Sequence, residues 1–271
     1  MRCCYLSDLH LESQDFSHDL SGGDVLIVAG DLCHAACLDP GRTDLYAVRQ
    51  RERVLRFADM AVARFRHVLM VAGNHDHYDG VFEDTVAALQ SALPGFTLLD
   101  DASIVIDRVS FFGTTLWSDF EAGSAEAMEK ARRGCGEYFF AKTRVRQADG
   151  TDRLEKLRPH NTLAAHRRAL SALESDLATF PGPSVVISHH APSLKGLNPF
   201  HAGNGLDGAY ASNLEAMLDR LSRVSFWVHG HTHIVRRYRL GEVTVLANCR
   251  GFADRDPSAR KFRPDACFDV G

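Results

Sequence analysis

The 271-residue sequence has no stretch of about 18 or more uncharged apolar residues, the length a helix needs to cross a bilayer, so no membrane span is expected. It has no C-x-x-C pair, and its cysteines (Cys3, Cys4, Cys33, Cys37, Cys135, Cys249 and Cys267) are odd in number. That usage fits a reducing compartment better than a disulfide framework and predicts mostly small core residues. Positive charge is not in surplus either: a formal net charge of −4 argues against a general nucleic-acid coat or a membrane-surface role, and no nucleic-acid-binding module is evident. The first motif begins at Asp8, which leaves no room for the basic start and apolar stretch of a signal peptide, so a cytoplasmic location is expected. What is present is 45% hydrophobic and 24% charged residues, the composition of a globular chain long enough to bury a sizeable core.

Apolar runs bounded by polar or Gly residues predict buried strands at 2–6, 25–29 and 67–72, and each run ends at a chemically loaded motif: Asp8-Leu9-His10, Gly30-Asp31 and Gly73-Asn74-His75-Asp76. Open α/β sheets bind ligands just beyond the carboxyl ends of their strands. Between them, Val54, Ala58, Ala61, Val62 and Phe65 mark one face of a helix over 44–65, and Phe82, Val86, Leu89 and Leu93 repeat the pattern. This alternation predicts a mainly parallel sheet. Short runs at 96–99, 103–106 and 109–113 read as a meander. Runs at 184–188 and 225–229 deliver His189 and Gly230-His231-Thr232-His233, and 234–238 with 242–247 read as a hairpin turning at Leu240-Gly241. Ser212-Asn213-Leu214-Glu215 reads as a capping box for a helix burying Leu214, Met217, Leu218 and Leu221. Two sheets face to face with helices outside account for this order, in a single domain over 1–271.

The stretch 119–159 is polar and reads as a lid-like insertion. Over 128–168 there are eleven lysines and arginines against five acidic residues. The segment is either a solvated helical surface or a lid that attracts an anionic substrate.

Asp8 and His10 stand two apart, so an extended segment would send both side chains to one face where they can grip an ion. Asp31 offers two oxygens, enough to bridge two metals. His231 and His233 project together, and neutral imidazole suits Mn, Fe, Ni or Zn better than Ca. Each motif alone is weak evidence, but the set in this order is specific. It resembles the calcineurin-like metallophosphoesterase superfamily over roughly residues 1–252, and 113–120 with 188–192 resembles a bacterial and fungal branch of predicted phosphohydrolases.

The resemblance implies a four-layer α/β/β/α sandwich with two mixed β-sheets flanked by helices. It also implies two divalent ions, expected to be Mn²⁺ with Fe, Zn or Ni as alternatives. Asp8, His10, Asp31 and His233 would hold one ion and Asp31, Asn74, His189 and His231 the other, with a hydroxide between them attacking phosphorus. His75 would contact the phosphate or protonate the leaving group. Asp76 would either fix the His75 tautomer or cap the following helix. Protein phosphatases of the superfamily carry Asp three residues after the bridging Asp; His34 stands there instead, as in the superfamily's DNA-repair nucleases, where that His helps position the phosphate. The phosphate-binding arginines of those phosphatases have no counterpart. In the branch, an Asn-Pro-Arg-Gly-aromatic segment is expected, and here Cys249 replaces the Pro.

His190, Arg158 and His160 are candidate substrate contacts, Arg being suited to bidentate phosphate binding. His77, Asn204 and Tyr210 are weaker ones, and Cys33 is either a redox-active thiol or a buried strand-end residue. The expected function is a dimetal phosphodiesterase on a small or nucleotide-like phosphoester. The alternatives are a phosphomonoesterase or nuclease and, from another class, a non-catalytic scaffold, which would have no reason to keep His75.

Overall fold

The computed structural model describes residues 1–201, 203–218, 223–252 and 254–271. One sheet has the order β13-β1-β2-β3-β4, built from β1 (Arg2–Leu6), β2 (Gly23–Ala29), β3 (Phe65–Val71), β4 (Thr97–Leu98) and β13 (Cys267–Asp269). The other has the order β11-β12-β10-β9-β6-β5, from β5 (Ala102–Ile106), β6 (Val109–Thr114), β9 (Ser184–Ser188), β10 (Val224–His229), β11 (Val235–Leu240) and β12 (Val243–Asn248). The interior pairings β1·β2, β2·β3, β6·β9, β9·β10 and β10·β12 are parallel, and antiparallel strands close the edges at β13, β5 and β11.

The apolar runs are unbroken because these strands are covered on both faces. Val25, Ile27 and Ala29 of β2, with Leu69 and Val71 of β3, face Val185, Ile187, Val228 and Leu246 of the second sheet. The alternate residues Leu26, Val28, Val68 and Met70 turn the other way, onto Val54, Phe57 and Ala61 of α1 (Leu45–Arg64). On the far side Val186 and Trp227 meet Ala169, Leu173 and Leu177 of the helix Pro159–Thr179. The result is the expected sandwich of helix, sheet, sheet and helix.

Several local expectations change. The runs at 96–99, 103–106 and 109–113 are not one meander: β4 pairs with β3 in the first sheet, and the chain then crosses to form the β5-β6 hairpin in the second. The change of sheet occurs at Asp100-Asp101, where Asp101 has φ 52° and its carboxylate accepts from Thr114 Oγ1. The capping box at Ser212 does not form, because Ser212 Oγ accepts from Asp119 N and the Glu215 carboxylate binds Ser193 and Lys195. Of that helix's expected face, Leu214, Met217 and Leu218 are buried, and Leu221 lies outside the described residues.

The 119–159 segment contains a hairpin of its own, β7 (Lys142–Arg146) with β8 (Asp152–Lys156), whose charged and largely exposed strands gave no apolar signal. Its remaining turns bury Ala127, Ala131, Cys135, Tyr138 and Ala141 against Leu163 and Ala165. Five cysteines are free and buried as expected, but Cys4 and Cys267 form a disulfide between directly opposed positions of β1 and β13. The pairing depends on a three-residue C-terminal strand with no sequence signal. No helix among the described residues is long and apolar enough to cross a membrane.

Phe57 is buried between α1 and the first sheet, with Phe16 and Phe96 rings edge-on to it. Phe57→Ala is expected to lower unfolding stability by about 3–5 kcal/mol, read as a lower urea midpoint at unchanged slope.

Candidate metal centre

Five loops meet where β1, β2 and β3 of one sheet and β9 and β10 of the other end side by side. They carry Asp8 and His10, Asp31, Asn74 and His75, His189, and His231 and His233 respectively. Two groups of possible donors result, Asp8-His10-Asp31-His233 and Asp31-His189-His231, each with its ligand atoms within 4.8 Å of one another. Asp31 is common to both. Asn74 adjoins the second, its Oδ1 3.0 Å from His189 Nε2.

These loops are not extended, as the paired spacing had suggested. Asp8 (φ 54°), His10 (49°), Asp31 (54°), His231 (68°) and His233 (46°) are all left-handed, a conformation costing about 1–2 kcal/mol for each L-residue. Tight turning lets the chain aim these side chains at one centre without leaving the sheet ends. Hydrogen bonds between loops hold it there: Asp8 N to Gly30 O (3.0 Å), His10 N to Asp31 O (3.1 Å), Gly230 N to His189 O (3.0 Å) and His231 N to Asp8 Oδ1 (3.0 Å). Gly30 has φ 86°, and a Cβ there would lie 2.4 Å from His189 Nδ1, so only glycine fits.

Three of the imidazoles are anchored through Nδ1: His10 by Glu12 Oε1 (2.9 Å), His189 by the Ala29 carbonyl (2.9 Å) and His233 by Asp256 Oδ2 (2.6 Å). Their Nε2 atoms turn inward. Those of His10 and His233 face each other at 3.1 Å, His189 Nε2 is 3.4 Å from Asp31 Oδ1, and His233 Nε2 is 3.4 Å from Asp8 Oδ1. Lone pairs and carboxylate oxygens converging in this way are the donor chemistry of a divalent-cation site, so the residues present fit such ions. Glu12 and Asp256 were not anticipated: Asp256 is 23 residues from its partner, and Glu12 lies beside a motif that is complete without it.

Electrostatics follow the crowding. Burial alone would drive His189 and His233 down, yet Asp31 raises His189 to about 9, and Asp256 and Asp8 raise His233 to about 10. Burial opposes the ionised form of Asp8 and Glu12 as well, but their histidine partners hold both at about 2. His75 is raised by Asp31 and Glu12 against its own burial. Its Nδ1 is 3.6 Å from Glu12 Oε1 and its ring stacks on Tyr78.

The other expected residues are placed differently. Asp76 neither touches the His75 ring nor caps a helix: its buried carboxylate accepts from the backbone N–H groups of Asp31, Leu32, Cys33 and Gly73 at 2.7–3.2 Å. Burial and the Asp31 charge push it up to about 7, against those donors. His34 is half-buried beside Tyr78 and Tyr46, with Asp79 Oδ2 3.4 Å from its Nδ1 and its ring 6.3 Å from that of His75. His190 lies behind the site, its ring 4.1 Å from that of His231 and its Nδ1 3.3 Å from the Thr115 carbonyl. Arg158 and His160 are exposed, because Leu157 and Pro159 take the inward positions where the chain rejoins the core. Cys33 is buried, which pushes its thiol well up.

A cavity of about 380 Å³ opens from the centre. Asp31, Asn74, His75, His231 and His233 form its floor, with walls that include Tyr78, Glu137, Asn198, Tyr210 and Phe252. Tyr210 stacks on His231 at 4.5 Å and Phe252 on His10 at 4.1 Å. None of His34, His190, Arg158 and His160 lines it, and the basic 128–168 stretch contributes Gly134, Cys135, Gly136 and Glu137 but no lysine or arginine. Many of its cations are paired outside, Arg132 and Arg133 with Glu129 and Arg144 with Asp84.

Residues 1–235 match the family model of the calcineurin-like phosphoesterases. An uncharacterized protein of Acanthamoeba polyphaga mimivirus is 21% identical over 289 residues, covering 98% of this chain and 95% of that one. The crystal structure of a phosphopantetheinyl hydrolase from Mycobacterium tuberculosis superposes with a TM-score of 0.60 at 19% identity, covering 95% and 93% of the two chains, a likeness of fold.

The raised histidines carry protons that an ion must displace. Affinity for Mn²⁺ is therefore expected to climb as pH rises from 6.5 and to level off only above about 10, beyond the values at which His189 and His233 give up their protons. Titration calorimetry in buffers of different ionisation enthalpy should register proton release on binding; release that is absent at pH 7 would contradict this.

Proposed function

The chain belongs to the calcineurin-like phosphoesterase family, and from that premise we propose that it is a two-metal phosphodiesterase for small or nucleotide-like phosphoesters. It is a metal-dependent phosphoester hydrolase at the level the family establishes. The observation that carries the finer reading is the sharing of buried Asp31 by two donor groups at the floor of one cavity. Asp8, His10, Asp31 and His233 would hold one ion and Asp31, Asn74, His189 and His231 the other, with Mn²⁺ the first ion to test.

When bound, a pair of divalent cations supplies an activated water and neutralises charge building on the phosphoryl oxygens. Asp31 sets the spacing between the two subsites. With Nδ1 turned towards Glu12, His75 is left with Nε2 for the substrate. In such a reaction the water oxygen, one proton released to solvent, would form its bond to phosphorus as the ester P–O bond breaks, and the departing oxygen would take the His75 proton, which solvent would then restore. Glu12 and Asp31 favour the protonated ring that this step requires. Tyr78, Tyr210 and Phe252 offer flat apolar surface to an organic arm.

The reading favours a diester over a monoester because, beside the metal-site histidines and His75, the described lining supplies one arginine, the exposed Arg255, against Glu137, Asp207 and Asp256. A dianionic monoester would call for an arginine pair. The cavity volume is that of a small-ligand site, which supports ranking a nuclease third. A scaffold would not need the His75 arrangement.

With Mn²⁺ loaded, wild type is expected to cleave a chromogenic phosphodiester faster than its monoester, and Asp31→Asn and His75→Ala to lose at least about a hundredfold in kcat. Equal, negligible rates in all three proteins would sink the enzyme assignment for these substrates. A phosphopantetheinyl ester joins the panel because a protein of this fold is named for hydrolysing it.

A further inference from the structure

Residues 136–144 of the 119–159 segment are stitched to the chain that follows Asn74. Asp79 N donates to Phe140 O (3.1 Å), Lys142 N donates to Gly80 O (3.0 Å), and a parallel bridge joins Val81 to Lys142. Thr143 Oγ1 donates to Glu83 Oε1 (2.5 Å), and Arg144 forks onto Asp84 at 2.7 and 2.6 Å. Gly136 lies so close to Tyr78 that a Cβ would come 2.3 Å from the tyrosine hydroxyl oxygen. A larger residue there would push the two segments apart.

At the inner end of this seam stands Glu137, 3% exposed. Its Oε2 accepts from Asn74 Nδ2 at 3.2 Å, and the Tyr78 hydroxyl lies 3.4 Å from the same nitrogen. The other end of the amide, Oδ1, faces His189 Nε2 at 3.0 Å. An amide has one accepting and one donating end. Turned over, Asn74 would set its NH₂ among the ligand atoms and its carbonyl against a carboxylate oxygen, leaving both sides mismatched.

We propose that Glu137 is a positioning residue by which the insertion fixes the Asn74 amide with its oxygen towards the Asp31-His189-His231 subsite. The insertion is thereby a brace on one half of the centre and not a swinging lid. The inference rests on the two-ion reading above and deepens it by giving the second ion a dependence that the first lacks. Groups that orient a metal ligand in this way typically contribute tenfold or more to affinity without touching the ion.

The test is calorimetric titration of Mn²⁺ into metal-free wild type, Glu137→Ala and Glu137→Gln, with the exchange-coupled dimanganese spin-resonance signal as an independent count of paired ions. Glutamine keeps an acceptor oxygen at the position of the carboxylate. Glu137→Ala is expected to weaken one ion by about 10–100-fold and leave the other unchanged, while Glu137→Gln binds both as wild type does. The proposal is overturned if Glu137→Ala binds both ions normally, if both ions weaken equally, or if Glu137→Gln loses as much as Glu137→Ala. A wild type that takes up a single ion would bring down the two-ion reading itself, and this inference with it. Because the readout is binding, a lack of turnover on any chosen ester does not enter the result.

Discussion

Everything at the centre depends on keeping the Asp31 carboxylate buried and ionised between two sets of imidazoles. A carboxylate with almost no exposure is costly unless its charge is compensated. Here His189 and the His75 backbone N–H, which donates to Oδ1 at 2.8 Å, compensate on one side and His10 on the other. The loop bearing Asp31 is itself held from beneath by Asp76, whose oxygens collect the N–H groups of residues 31–33 together with that of Gly73. One carboxylate thus locks the backbone that presents another. The left-handed turns at five of the seven candidate ligand positions become intelligible in that setting, since they aim closely spaced donors at one centre.

Strands covered on both faces appear in the sequence as unbroken apolar runs, which is why β1, β2, β3, β9 and β10, the strands that aim the site, were all legible. The helix α1 was legible for the equivalent reason at a period of 3.6. β7 and β8 were not, since their pairing is between charged, exposed segments that bury little. The sheet to which β4 belongs was not legible either, because two residues carry no pattern and a bend at Asp101 decides where the chain goes next. The Cys4–Cys267 bond joins positions 263 apart in sequence and becomes foreseeable only once β13 is set beside β1.

The site divides along similar lines. Residues that would touch an ion sit in short motifs at strand ends, so their spacing is local and visible. Residues that orient them do not: Glu137 reaches Asn74 across 63 positions, and Asp256 reaches His233 from beyond the second sheet. Arg158 and His160 are the converse case: their chemistry suits a phosphate, but Leu157 and Pro159 take the inward positions. The carboxylates of Glu12, Asp256 and Glu137 give the centre an outer ring of acceptors, each acting on a different inner side chain.

The registry of β1 with β13 has a practical side. β1 runs from Arg2 towards Asp8, while β13 runs the opposite way beside it, pairing Arg2 with Asp269. Met1 and Val270 therefore meet, the amino group donating to the Val270 carbonyl, at the end of the sheet remote from the cavity. An affinity handle, a fluorescent reporter or a solid support joined to either end of the chain would hang from the base of the molecule and leave its mouth open to solution.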